Sequence, residues 1–135
     1  MNKQSRHTAS RLRQQIRLES YQLQRLLARL VGPAELVKGS LYLWKHTCGR
    51  RGCHCQAGEP HRSWVLSYYQ DGKLVKRYVS DEDIESVRGR VEAYRGFRQA
   101  RGKLARTQQS LLQLLDRLQA ALEEAPPEKS KGRKR

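Results

Sequence analysis

Cys48, Cys53, Cys55 and His61 lie in one short stretch, CGRRGCHCQAGEPH. Three thiolates and one imidazole make a full tetrahedral donor set for zinc, and soft sulfur ligands favour zinc over the hard cations, which want oxygen. The spacing, Cys48-x4-Cys53-x-Cys55-x5-His61, differs from that of the common C-x2-C fingers. Gly49, Gly52, Gly58 and Pro60 supply turns for a tight loop. His61 is the expected fourth ligand. His54 lies between two ligands, where reaching the same metal would be strained, and His46 is held in reserve. Two readings compete: three reduced cysteines in a small core, or a redox pair from Cys53 and Cys55. A loop rich in arginine and glycine makes a poor apolar core.

A metal here could do chemistry or hold a fold. Catalytic zinc keeps an open coordination position and needs an acid or base close by. Four candidate ligands close this site, and Glu59 is the only carboxylate in the loop. The H-x-E with P-C-x-x-C signature of zinc deaminases is absent, as are H-E-x-x-H and the P-loop. The reading is therefore a structural zinc and no enzymatic activity.

Charge sets the partner class. The 135 residues carry a formal net charge of +15, far beyond what solubility asks of a small domain. That balance implies a polyanion: DNA, RNA or an anionic membrane. No apolar run is long enough to span a bilayer, and the first residues lack a signal-peptide core. A cytoplasmic protein with reduced thiols is expected, nucleoid-associated if it binds DNA. With 37% hydrophobic residues and 7% aromatics, long amphipathic helices around a small nucleus fit better than one large core.

The elements that must position the cysteine loop follow from periodicity. Residues 1–8 are expected to be flexible. Residues 9–31 read as a helix, with Leu12, Ile16, Leu23, Leu26, Leu27 and Leu30 at spacings of three and four. Residues 32–39 form a linker after the Gly32-Pro33 stop. Residues 40–79 read as a sheet module: SLYLWKH, the metal loop, then a hairpin turning at Asp71-Gly72, a type I′ signal. That turn sets Gln70 opposite Lys73, Tyr68 opposite Val75, Leu66 opposite Arg77 and Trp64 opposite Val79. The Trp64, Leu66, Tyr68, Val75, Arg77 and Val79 face is the more apolar and is placed on the core, with Arg77 at its edge.

Residues 80–124 read as a second, longer helix. Ser80 is the candidate N-cap with Asp83 in the capping-box position, and Asp81, Glu82, Asp83 and Glu85 complement the dipole. Its stripe is Ile84, Val87, Val91, Tyr94, Phe97, Leu104, Leu111, Leu115, Leu118 and Leu122, interrupted by Arg101 and Gln108. Residues 125–135 read as a disordered basic tail. The expected fold is α+β: two long basic helices in an antiparallel coiled-coil-like arrangement, joined by a small three-stranded antiparallel sheet with a zinc loop. The longer helix should overhang at its Leu-rich end, LLQLLDRLQAAL, inviting a protein partner or self-association.

Residues 39–100 resemble a small uncharacterised prokaryotic family with the pattern G-S-L, C-G-x3-C-x-C-x2-G-x2-H, L-S, G-K and a Tyr-Val strand end. The resemblance groups Cys48, Cys53, Cys55 and His61 as one set. Arg62, Ser63 and Trp64 stand where the family has Gly-Pro and an aromatic. It implies small accessory proteins, often near mobile-element genes, with no established activity. In architecture, three strands before a helix resemble the arm-binding domains of tyrosine recombinases, which lay a sheet into the DNA major groove.

Together these point to a zinc-stabilised nucleic-acid-binding accessory protein of a mobile-element or recombination system, with DNA favoured. Arg50, Arg51 and Arg62 sit in or beside the loop. Lys76, Tyr69 and Tyr78 share a sheet face, and Arg88, Arg95, Arg98, Arg101 and Arg106 could track a phosphate backbone. A coiled-coil adaptor holding a recombinase or transposase is the second reading, and RNA binding the third. A membrane role is weaker, because the arginines are scattered without Trp or Phe anchors.

Overall fold

Asn2 opens the first helix ahead of the apolar pattern. Its side-chain oxygen accepts the Ser5 backbone N–H at 2.7 Å, and its carbonyl accepts that of Arg6 at 3.1 Å, the N-cap arrangement. Helix α1 therefore runs Lys3–Leu30 and takes in most of the segment expected to be flexible. The chain continues through β1 (Ser40–His46), a 3-10 turn (His54–Ala57), β2 (His61–Gln70), β3 (Lys73–Val79) and α2 (Ile84–Leu122). This computed structural model describes residues 1–128. Of the basic tail expected over 125–135, residues 129–135 lie outside the described residues. The expected α+β content, two helices and three antiparallel strands, is present. The chain divides into two units. One takes Met1–Leu30 with the chain from Arg101 onward, and the other is Val31–Ala100.

In the first unit, the sheltered positions of α1 include Ser5, Ala9, Leu12, Ile16, Glu19, Leu23, Leu26 and Leu30, alternating steps of four and three, with Ser20 beside Glu19. In α2 they include Leu104, Thr107, Leu111, Leu114, Leu118 and Ala121, with the same alternation, and Gly102 and Ser110 flank this row. The expected stripe is corrected here: the seam passes through Thr107 and Leu114, while Gln108, Leu115 and Leu122 are exposed. A small side chain on the seam lets helices approach, and the neighbouring Gln keeps its polar group in water at no desolvation cost. Leu27 is also exposed, against expectation.

The Met1 ammonium lies 3.1 Å from Glu124 Oε1, and Ser110 Oγ donates to Glu19 Oε1 at 2.8 Å. Early residues thus meet late ones, so the helix segments are antiparallel. Because α1 starts at Lys3, its end reaches Glu124, and the expected overhang of the longer helix is not found.

In the second unit the sheet order is β1-β2-β3. Asp71 (φ 51°) and Gly72 (φ 75°) take the positive φ angles of a type I′ turn, and all four expected cross-strand pairs are present. β1 pairs with β2 from Ser40 opposite Ser67 to His46 opposite His61. Period-two alternation then gives two faces. Leu41, Trp64, Leu66, Tyr68, Val75 and Val79 are half-buried on one. This is the face turned to α2, because the Arg88 guanidinium lies 5.0 Å over the Trp64 ring. Arg77 is exposed, 6.0 Å over the Tyr68 ring. The other face carries Tyr42, Trp44, His46, His61, Val65, Tyr69, Leu74, Lys76 and Tyr78.

The linker is tied down: Val37 N–H donates to the Arg90 carbonyl at 3.1 Å, and Arg90 lies 3.6 Å from Glu35. α2 begins later than expected. Ser80 Oγ donates to the Asp83 carboxylate at 3.0 Å, and the Asp83 N–H goes to the Ser80 carbonyl. The first helical bond runs from Val87 N–H to the Asp83 carbonyl at 2.9 Å. Asp83, not Ser80, is thus the cap, and Glu85 is the acidic residue of the first turn.

Candidate metal centre and the open sheet face

The loop joining β1 to β2 brings its ends together because His46 and His61 are cross-strand partners. Between them, Gly52 (φ 78°) and Gly58 (φ 106°) take left-handed turns that other residues adopt only at a cost. Cys53 precedes the 3-10 turn in extended backbone, and Gln56 N–H closes that turn onto the Cys53 carbonyl at 3.1 Å. The Gln56 amide also donates to the Arg50 carbonyl at 2.9 Å.

This folding gathers Cys48, Cys53, Cys55 and His61, whose ligand atoms all lie within 4.8 Å of one another. Cys48 Sγ is 3.6 Å from Cys55 Sγ, and Cys53 Sγ is 3.2 Å from His61 Nε2. All three cysteines are free thiols. The four residues could hold one metal ion, and no other such group occurs among the described residues. His54 is exposed, with Nδ1 3.8 Å from Cys53 Sγ. His46 Nε2 instead meets Ser63 Oγ at 3.4 Å, and its ring lies beside that of His61 at 5.6 Å. The His46 imidazole is therefore a neighbour of the centre rather than one of the gathered donors.

The thiols differ electrostatically. The Cys55 backbone N–H stabilises the Cys53 thiolate most, followed by the Cys48 and Cys55 side chains, so its pKa drops from the ordinary 9.0 to about 6. Burial pushes the Cys55 thiol up, partly offset by the Cys48 N–H, which donates to its sulfur at 3.4 Å. A thiolate is the form a metal binds.

Arg50 and Arg62 border a shallow cavity with His46, Cys48, Cys53, His61 and Ser63. Arg51 is exposed in the loop. Tyr69, Lys76 and Tyr78 are exposed on the sheet face turned away from Arg88, as their shared alternation implied. Arg88 is not with them. It pairs with Glu85 at 2.9 Å and packs on Trp64, on the helix-facing side. Arg95 and Arg98 are exposed in the second unit, and Arg101 and Arg106 in the first. The sequence reading missed Tyr42 and Trp44, which join the open face through the β1 register. The i, i+2 run Tyr42, Trp44, His46 was the available signal.

A family model described as "Domain of unknown function (DUF6788)" matches residues 9–89, more than half of the chain and all four gathered donors. No curated protein and no solved structure matches.

Proposed function

The chain belongs to the DUF6788 family, a domain of unknown function, and from its own site we propose a zinc-stabilised, DNA-binding accessory protein without enzymatic activity. One observation carries this. Exposed Trp44, Tyr69, Lys76 and Tyr78 share one sheet face, and Arg50 and Arg62 border the cavity beside the cysteine loop, in a chain of net charge +15.

Zinc suits the donor set. With Zn–S near 2.3 Å and Zn–N near 2.0 Å, donors of a tetrahedral site stand about 3.5–3.8 Å apart. The 3.6 Å and 3.2 Å separations here are close to that. Four protein donors fill the shell, which is the pattern of a structural site. Bound zinc would supply cross-linking of the loop, and the chain's own residues would do the binding. Arg50, Arg62 and Lys76 offer cations to phosphates, and Arg51, Arg95, Arg98, Arg101 and Arg106 offer more around them. The setting in a mobile-element or recombination system follows from the resemblance to small accessory proteins.

Binding of this kind is strongly salt-dependent. Contact with about six phosphates weakens affinity by roughly a thousandfold between 50 and 200 mM salt. Fluorescence anisotropy with a labelled DNA duplex measures this, and an affinity flat across that range would sink the proposal.

A separate observation favours a second reading. Leu112, Leu115 and Leu122 stay 63%, 47% and 40% exposed on α2. With the four-three seams, this supports a coiled-coil hairpin that self-associates and serves as an adaptor. Sedimentation velocity tests it: a strict monomer at every concentration counts against it.

A further inference from the structure

The open sheet face contains a hollow of about 410 Å³ lined by Tyr42, Trp44, Val65, Lys76, Arg77 and Tyr78, within the usual range of roughly 300–1,000 Å³ for small-ligand sites. Val65 forms its floor and is 4% exposed although it lies on the face away from α2. Its cross-strand partners Tyr42 and Tyr78 shelter it from either side. Trp44 is 41% and Tyr78 69% exposed, so both rings are partly open to solvent. Lys76 follows Tyr78 by alternation on the same strand and sits at the rim.

The rings form a continuous row. Tyr78 and Trp44 have centroids 6.2 Å apart, Trp44 stacks on His46 at 4.1 Å, and His46 neighbours His61 at 5.6 Å. The row thus runs from one of the gathered metal donors to the hollow. The β1–β2 register that pairs His46 with His61 also puts Trp44 beside Tyr78.

We propose that this hollow seats an unpaired nucleobase, and that the preferred ligand of the sheet face is single-stranded DNA. This rests on the DNA-binding reading above and sharpens it. In a duplex the base faces are hidden in the stack, whereas a single strand offers them to aromatic side chains. An apolar floor, two exposed rings and a cation at the rim match a base with its phosphate attached. The net charge of +15 favours a polyanion over a basic partner.

The test is anisotropy of the full chain with labelled dT15, a duplex of equal length and rU15, each at 200 mM salt. The single DNA strand should bind at least about tenfold tighter than the duplex. Trp44→Leu and Tyr78→Leu should each weaken the single strand by about tenfold with little effect on the duplex, while Trp44→Phe restores most of the loss. Circular dichroism melting keeps the fold in view, and Tyr78, exposed on an edge strand, serves if the Trp44 variant unfolds. Equal affinity for duplex and single strand, with both Leu variants unchanged, overturns this inference and leaves general DNA binding standing. Tighter binding of rU15 overturns the choice of DNA. Failure of every probe at 50 mM salt as well as at 200 mM overturns both.

Discussion

In the metal-free chain the three thiols are not equivalent. Cys53, lowered to about 6, is a thiolate at neutral pH, while Cys55 is buried and pushed up. Iodoacetamide followed by peptide mass mapping should therefore label Cys53 before Cys55. As the pH falls through about 6, Cys53 takes up its proton and its labelling rate should drop. Added zinc should protect all of them, because each sulfur becomes a ligand. Equal labelling of Cys53 and Cys55 would contradict this electrostatic ordering. At this scale the sequence was informative where chemistry is local. Cys48, Cys53 and Cys55 could be grouped from donor type and loop length, with His61 preferred over His54 and His46 as the fourth donor. Tyr42 and Trp44 could be grouped with His46 by their i, i+2 spacing, but which face they join depends on a β1 register that no short turn sets.

Among elements, β1 has a close contact at its start. A Cβ on Gly39 would lie 2.9 Å from the Ser67 carbonyl oxygen, a backbone atom that cannot swing aside. Gly39→Ala should destabilise the sheet unit by about 1–3 kcal/mol, seen as a lower melting temperature. A variant as stable as the parent would show that the strand can shift freely. The helical unit has a polar feature on its seam. Glu19 Oε1 accepts from Ser110, while Glu19 Oε2 is buried with no partner. Ser110→Ala should destabilise by about 1–3 kcal/mol by orphaning the carboxylate, whereas Glu19→Leu should raise the melting temperature. If Glu19→Leu lowers it, the carboxylate contributes net stability after all.

The hairpin register was legible because Asp71-Gly72 admits one tight turn and the side-chain period is two. The start of α1 was not, because its cap, Asn2, lies ahead of the first apolar repeat. The α2 seam was read one residue late at Leu115 and Leu122, since small Thr107 carries no hydrophobic signal though it is 7% exposed.

For the whole molecule, charge and composition support the proposed polyanion partner without specifying its form. The +15 net charge is a property of the chain, and which strand geometry it meets depends on the open sheet face. No helix among the described residues is long and apolar enough to cross a membrane. The sheet unit is small, and its open face stays in place through its hydrogen-bond ladder and the loop that joins β1 to β2. A metal that cross-links this loop contributes directly to folding. Chelation should therefore lower the melting temperature of the sheet unit and weaken DNA binding together. A loss of metal with no change in either would separate the centre from the sheet. The most direct measurement is elemental analysis of protein purified without added zinc, with thiol titration of the folded chain. One zinc per chain and protected thiols are expected. Well under one zinc per chain, with all three thiols reactive in the folded state, would contradict a metal-held sheet.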